Sequence, residues 1–434
     1  SLPHLEKAED IVITSPIKKE VYGNDTEMLL MAWAFPGITD KSMETLEIVD
    51  AMLVNGKAGL IDIDVNKKQR ALHMGGDIYG LADKSAYYII AYPNEGQTLD
   101  ELRDLVLEEM AKLRAGEFDE SLIPATINNY KLMEQRAIES NEGRVDVMQE
   151  VFIDGFDPAE YVGKLDRQSK LTKKDITEFA KAHLRDDNYV AIYKLQGQDP
   201  NELKIAKQPI TPLAVNRDKT SAFLTEILSE EVAPIEPVFL DFDKDLDYLT
   251  LNNGIPVLYK QNTTNDIFTL TFVYDFGSLN DPELALLGSY FPLLGTPEMT
   301  NDEISQKFYD IACSYRLSIG GNRSYVTISG LSENMPQALA LVEDIMNNAK
   351  ADKDVYAKVA EQLIKDRNDS KLNQNQNFGK LQRYVIYGPQ QVKKTTLTNE
   401  QITGTNAKAL TDKLAGFNGM EHSVIYYGPI DQNT

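Results

Sequence analysis

The sequence contains very few of the residues that build metal and disulfide sites: one cysteine, Cys313, and four histidines. A single cysteine excludes an intramolecular disulfide and a zinc site made of thiolates. A helical zinc site requires two histidines three or four residues apart, because only that spacing directs both imidazoles at one ion. No two histidines are that close, so we predict that the histidines are surface or packing residues. For Cys313 we predict a core position on the apolar side of a helix. The histidines are His4, His73, His183 and His422.

Other signatures of chemistry are missing as well. Gly320-Gly321 lacks the lysine and the spacing of a phosphate-binding loop, and no Gly-x-Ser-x-Gly sequence is present. A metal site assembled from distant residues, such as His73 with two carboxylates, is the alternative that the sequence leaves open without supporting it. By themselves the residues show no catalytic apparatus.

The chain has no apolar run of about 18 residues, the length that a membrane-spanning helix requires. Its longest notable apolar run, residues 28–35, has the length of a strand. Acidic residues exceed basic ones by 67 to 44, a net charge of −23, which argues against nucleic acid and anionic membranes as partners. A solubilising acidic surface explains this charge, and attraction of a basic peptide is the second explanation.

What the sequence does contain is enough material for more than one core. The 434 residues are 42% hydrophobic and 26% charged, as in globular proteins, and predict two or three domains of roughly 100–200 residues each. The chain starts at Ser1, which is typical of a processed product or an excised piece, so its targeting cannot be read. We expect a soluble chain and favour a periplasmic over a cytoplasmic location.

Strand patterns alternate with helical patterns in two parts of the chain. In the first part Thr98 and Glu101 form a capping box, and Gly116 ends the helix that they begin. Five prolines and an acidic cluster then interrupt regular structure between Gln196 and Asp247. The sequence therefore predicts an α+β domain over 1–205, a linker with a short helix over 206–245, and a second α+β domain over 246–434.

Three short sequence matches indicate that the second domain repeats the first. Residues 152–155 match residues 385–388, the helix start Leu171-Thr172 matches Leu397-Thr398, and Ile192-Tyr193 matches Ile425-Tyr426. The matches occur in the same order and with nearly the same separation. We infer a tandem duplication of one α+β unit.

The segment 249–300 begins the second domain. It predicts two short strands around the turn Asn252-Asn253-Gly254, a third strand, Gly277, and an apolar helix that ends near Gly295. This order resembles the start of a catalytic-type domain in the insulinase and pitrilysin family of zinc metallopeptidases, which includes mitochondrial processing peptidase. The matching residues are Leu251, Asn253, Gly254, Val257, Gly277-Ser278 and Gly295-Thr296.

In active members of that family the apolar helix carries an inverted His-x-x-Glu-His motif, in which the histidines bind zinc and the glutamate activates water. Counted back from Gly295-Thr296, the histidine positions fall on Leu286 and Tyr290 and the glutamate position on Ser289. The third zinc ligand would fall in 363–367, where Asp366 is the only carboxylate. The resemblance therefore implies a motif that has been lost, with no catalytic, cofactor-binding or metal-binding residue in this chain.

The resemblance implies two tandem α+β domains, each a mainly antiparallel sheet with helices on one face, that correspond to the second and third domains of a four-domain clamshell. On this view the chain is the non-catalytic middle of a zinc metalloendopeptidase. Zinc is then expected in the missing catalytic domain, the partners are a peptide substrate and the remaining domains, and nucleic acid and membrane spans are not involved. The alternatives are an inactive scaffold or partner subunit of a processing complex, and a peptide-binding protein that uses an exposed sheet edge.

Overall fold

The computed structural model describes residues 9, 11–23, 26–199, 210–211, 217, 219–372 and 374–432. His4 and much of the proline-rich linker, 200–209 and 212–216, lie outside the described residues. Within the described residues the strands form two sheets, one of five strands and one of six. We call residues 17–196 the first unit and residues 247–428 the second unit.

The first unit alternates strands and helices, as its sequence predicts. Its strands and helices are β1 (Ile17–Gly23), β2 (Met28–Pro36), α1 (Lys41–Leu53), β3 (His73–Tyr79), β4 (Lys84–Tyr92), α2 (Leu99–Ala115), α3 (Leu122–Ala137), α4 (Asn141–Asp154), α5 (Pro158–Val162), α6 (Lys164–Gln168), α7 (Lys173–His183) and β5 (Val190–Gln196), with a π-helical turn at Asp62–Lys67.

Helix α8 (Ala222–Ser229) lies between the units, where the linker was expected to hold a short helix. The second unit contains β6 (Asp247–Thr250), β7 (Pro256–Gln261), β8 (Ile267–Tyr274), α9 (Leu284–Tyr290), α10 (Asn301–Asp310), β9 (Cys313–Ile319), β10 (Ser324–Leu331), α11 (Met335–Asn348), α12 (Lys353–Asp369), α13 (Gln374–Thr395), α14 (Asn399–Gly404), α15 (Ala407–Gly416) and β11 (His422–Gly428).

The local signals in the sequence explain most boundaries. Thr98 and Glu101 form the reciprocal capping box of α2, and Gly116 ends the helix in a left-handed conformation with φ 74°. Along β2 the side chains of Leu29, Met31 and Trp33 alternate into the core, as expected for a strand with one buried face. Capping and alternation therefore fix these elements locally.

The two units share one strand order. The first sheet runs β1-β5-β2-β4-β3, and the second runs β6-β7-β11-β8-β10-β9, so that β7, β11, β8, β10 and β9 occupy the places of β1, β5, β2, β4 and β3. In each unit the closing strand is parallel to one neighbour and antiparallel to the other. The α+β class with two related units is confirmed, and β6 is an addition of the second unit.

The matched sequence pieces occupy matched places. Thr172 and Thr398 each cap a helix through a capping box. Gly155 and Gly388 both have a positive φ, of 78° and 76°. Their ψ angles differ, 26° at Gly155 and 168° at Gly388, so the units share a glycine with positive φ at this place but not one backbone turn.

The prediction for Cys313 is half correct. Its side chain is buried, as expected, but the residue begins β9 instead of lying on a helix. Helix α10 ends at Asp310, and Ala312 has a left-handed φ of 46°, which reverses the chain before the strand. The apolar residues Ile311 and Ala312 continue the helical spacing past the true end of the helix.

The units exchange buried side chains where α3 meets α10. Tyr309 of α10 packs in the core of the first unit, and its hydroxyl lies 3.0 Å from Thr126 Oγ1. The Tyr309 carbonyl accepts a hydrogen bond of 2.7 Å from Asn129 Nδ2. In return Leu132 of α3 is buried with residues of the second unit: Ile267, Ala312 and Leu331.

No helix among the described residues combines the length and the hydropathy needed to cross a bilayer.

Candidate functional site

Helix α9 carries the three positions where the sequence places the lost motif. Leu286 is 3% exposed and Tyr290 is fully buried, whereas Ser289 faces solvent. The Tyr290 hydroxyl donates a hydrogen bond of 2.9 Å to the carbonyl of Asp352 and accepts one of 2.7 Å from its N–H. Its ring packs edge-on against Tyr356 at 5.4 Å. Two of the three positions are therefore used for packing.

The segment 363–367 meets α9 as the resemblance requires. Leu286 lines a cavity of about 200 Å³ together with Leu363 and Arg367. Arg367 Nη1 donates a hydrogen bond of 2.8 Å to Asn399 Oδ1, so a fixed guanidinium lies beside this cavity. Asp366 does not line the cavity, and it accepts a hydrogen bond of 2.7 Å from Gln362 Nε2. Thr395 and Thr396 also line the cavity, and none of its described lining residues is a histidine or carries a carboxylate.

None of the three described histidines lines this cavity. His183 packs on Phe179, with ring centroids 4.6 Å apart, and burial lowers its pKa. His422 packs on Tyr274 at 5.2 Å, and His73 begins β3 as an exposed residue. Among the described residues no group of three or more histidine, cysteine or acidic side chains is placed to hold a metal ion, including around His73.

Helix α1 is the counterpart of α9, because it follows β2 as α9 follows β8. Unlike α9, it presents a polar face to α6. Glu47 Oε1 accepts a hydrogen bond of 3.1 Å from Lys164 Nζ, and Glu47 Oε2 accepts one of 2.7 Å from Gln168 Nε2. Arg167 binds Glu44 through Nε and Nη2 at 2.9 and 2.7 Å. We call these five residues and Asp50 the polar cluster of the first unit.

Burial and neighbouring charges shift the pKa values of Lys164 and Glu44 in opposite directions. Burial lowers the pKa of Lys164, but the charge and hydrogen bond of Glu47 outweigh it and raise the pKa overall. For Glu44, burial raises the pKa, and Arg167 outweighs it and lowers the pKa overall. Each charge is thus balanced by a partner within the cluster, which favours a structural role in joining α1 to α6.

Asp50 is the exception in the polar cluster. Burial raises its pKa to about 7, and the negative charges of Asp77 and Asp62 contribute to the increase. A hydrogen bond with the Tyr87 hydroxyl acts in the opposite direction and lowers the pKa, but burial outweighs it. Asp50 therefore titrates near neutral pH, a property usually found at functional sites or under strain.

The sequence contained a signal for the polar cluster that periodicity alone did not reveal. Glu44, Glu47 and Asp50 recur every third residue on α1, and Lys164 and Arg167 do the same on α6. Residues three apart share a face of a helix, so two oppositely charged faces were readable. That these faces meet could not be read, because more than 110 residues separate them and the contact depends on the fold.

The comparisons with known proteins identify the fold. The sequence matches no family model, and it matches no curated protein. The crystal structure of pitrilysin superposes with a TM-score of 0.61 at 13% identity, over 97% of this chain and 47% of that chain. At this identity the similarity shows the fold alone, which is that of the pitrilysin-type repeat.

Two further structures match at lower similarity. The periplasmic protease PqqL from Escherichia coli has a TM-score of 0.40 at 10% identity, over 99% of this chain and 51% of that chain. A variant of the ferredoxin protease FusC in complex with Arabidopsis ferredoxin has a TM-score of 0.42 at 10% identity, over 100% of this chain and 51% of that chain. The chain spans about half the length of each of the three structures.

Proposed function

We propose that the chain is the non-catalytic middle portion of a zinc metalloendopeptidase and forms part of the wall of a chamber that confines peptides. The observation that carries this proposal is the packing of the side chains of α9. On this proposal the helix takes the place of the zinc helix of a catalytic-type domain, and its Leu286 and Tyr290 are packed in the core of the second unit. The frame of such a domain is retained without its ligands.

The contacts of α9 support a structural role for this helix. The two hydrogen bonds between Tyr290 and Asp352 join α9 to the start of α12. The two helices that would bring zinc ligands together are thus connected through a tyrosine hydroxyl and a backbone amide.

The proposal has consequences for the rest of the protein. Zinc and the His-x-x-Glu-His motif belong to a further domain of the same protein, the substrate is a peptide, and the remaining domains are the partners of these units. The division into 1–205, 206–245 and 246–434 and a periplasmic location are parts of the same proposal.

Metal analysis and a cleavage assay of the purified chain test the proposal. We expect no stoichiometric zinc after dialysis against micromolar zinc, and no cleavage of a mixed peptide library. One tightly held zinc per chain, or zinc-dependent cleavage, overturns the proposal. The reading frame upstream of Ser1 gives the second test: an intact motif supports the peptidase, and its absence favours the scaffold or partner subunit instead.

A further inference from the structure

The second unit contains an apolar cavity that lies away from α9. It has a volume of about 550 Å³, is open to solvent, and is lined by the core-facing side of the second sheet and by α11. Cavities of this size with mostly apolar walls are typical of sites that bind a small molecule or a large side chain. The walls include Leu249, Val257, Phe272, Leu339, Val342 and Tyr426.

The corresponding place in the first unit is closed by charged side chains. Tyr193 occupies the position of Tyr426, since each lies on the closing strand of its sheet. The Tyr193 hydroxyl donates a hydrogen bond of 2.8 Å to Asp100, and Arg103 Nη1 lies 3.4 Å from the same hydroxyl. Lys18 Nζ lies 4.0 Å above the Tyr193 ring. We call Lys18, Asp100 and Arg103 the charged lid.

The second unit replaces every member of the charged lid by an apolar residue. The buried residues Leu102, Val106 and Met110 of α2 recur at the same spacing as Ala338, Val342 and Met346 of α11. This alignment and the strand pairing of the two tyrosines define the counterparts. The counterparts of Lys18, Asp100 and Arg103 are Val257, Pro336 and Leu339.

Of these counterparts, Val257 and Leu339 line the cavity. The cavity is therefore a specific difference between two related units, produced by several substitutions at one place. An apolar surface that is open to water is unfavourable in free energy. A partner that covers these walls gains that free energy.

Charge indicates which kind of partner is suitable. The charged residues that line the cavity, Glu343 and Asp431, are both acidic. Burial raises the pKa of Tyr259 in the cavity wall, and the charges of Asp431 and Asp247 raise it further. A partner with an apolar body and a positive charge fits this mouth. The chain's own segment 230–247 is a poor occupant, because it carries seven acidic residues and one basic residue.

The edge of the sheet favours a peptide over a simple cationic amphiphile. Strand β6 is the outermost strand of the second sheet, and Leu249 on β6 lines the cavity. An edge strand presents backbone N–H and C=O groups that an extended peptide satisfies and an alkyl chain does not. The cavity then receives one side chain of a peptide that lies along β6.

We propose that this cavity binds an apolar side chain of an extended peptide whose neighbouring residue is lysine or arginine. The proposal rests on the peptide-handling function proposed above and names the class of peptide. It assigns α11 and the β6–β7 hairpin to substrate selection, at a place separate from α9.

Binding of fluorescein-labelled peptides to the full 434-residue chain tests this proposal. The probe is Gly-Gly-Phe-Lys-Gly-Gly, and the comparison peptides replace Phe by Gly or Lys by Glu. We expect the affinity to fall at least tenfold with either comparison peptide. Equal affinity for all three peptides, or no binding of the probe, overturns the proposal, as does displacement of the bound probe by dodecylamine at equal concentration.

Two variants locate the site. Leu339→Arg installs the residue of the first unit and should weaken probe binding at least tenfold, whereas Leu381→Arg, at an exposed apolar position of α13, should leave it unchanged. Glu343 is exposed, so Glu343→Gln should leave the fold unchanged. It should weaken binding of the Lys peptide severalfold and should not affect the residual binding of the Glu peptide. Unchanged binding in both cavity variants overturns the proposal.

Zinc content measured on the same preparations separates the two proposals. Absence of probe binding in a chain that holds no zinc rejects the cavity proposal and leaves the proposed function intact. Stoichiometric zinc rejects the proposed function whatever the peptide result.

Discussion

The first and second units share one strand order and differ in how they use the same places. Helix α1 of the first unit presents charged residues to α6, whereas its counterpart α9 buries Leu286 and Tyr290. The closing tyrosine of the first unit lies under a charged lid, and that of the second unit lies in an apolar cavity. The fold therefore depends on strand order and buried alternation, while polar residues at equivalent positions are free to change. This difference suggests four measurements, ordered from the largest expected effect to the smallest.

Rebuilding the lost motif should produce the largest effect. The triple substitution Leu286→His, Ser289→Glu and Tyr290→His should lower the free energy of unfolding by about 5 kcal/mol, because it places two imidazoles in a packed core. Urea denaturation measures the loss, and Ser289→Glu alone should change stability by less than about 0.5 kcal/mol, since Ser289 is exposed. A triple variant that stays stable and binds one zinc would show that α9 still holds a functional frame.

Asp50 should make the polar cluster of the first unit sensitive to pH. Its pKa is raised from 3.8 to about 7, so the folded state binds the proton more tightly, and the resulting stability is lost as pH rises between these values. Asp50→Asn should remove this dependence and stabilise the chain at pH 8 by up to about 4 kcal/mol. Urea unfolding at pH 5 and pH 8 measures it. The exposed Asp146→Asn is the control and should retain the parent's pH dependence.

Lys164 should contribute less, but measurably. Lys164→Met leaves Glu47 partly buried without its cation and should cost about 3 kcal/mol. Lys174→Met is the matched control, because the ion pair of Lys174 with Glu178 is largely exposed and is worth under about 1 kcal/mol. Equal losses in the two variants would mean that the polar cluster is no more than a solvated surface.

Exchanging the charged lid should have the smallest effect. Arg103→Leu gives the first unit the residue of the second and should cost about 0.5–1 kcal/mol, because the ion pairs of Arg103 are partly exposed. Molar salt screens exposed charges, so the difference in unfolding free energy should shrink at 1 M NaCl. A loss that is insensitive to salt would identify packing of the arginine stem as the cause.

The sequence predicted the structural elements that are determined by residues close together in the chain. The capping box at Thr98, the hairpin around Gly254 and the repeat of Ile192-Tyr193 all appear where they were expected. Strand β1 did not, because Lys18-Lys19-Glu20 carries no apolar alternation and the strand is exposed at the edge of its sheet. Its position is fixed by pairing with β5, far away along the chain.

The candidate sites show the same contrast between features determined by nearby residues and features determined by the tertiary structure. Counting from Gly295-Thr296 placed Leu286, Ser289 and Tyr290 on one helix, and all three lie on α9; their correspondence to a zinc motif stays a prediction. The joining of Glu47 to Lys164, and the replacement of the charged lid by Leu339, depend on which elements face each other. Such contacts are determined by the tertiary structure and cannot be read from the spacing within one helix.

The exchange of Tyr309 and Leu132 between the units bears on how the chain unfolds. Neither unit completes its core alone, since Tyr309 packs in the first core and Leu132 is buried with residues of the second unit. Opening one unit therefore exposes apolar surface of the other and breaks the contact between Thr126 and Tyr309. We therefore expect the two units to unfold in one cooperative transition, which calorimetry would record as a single peak.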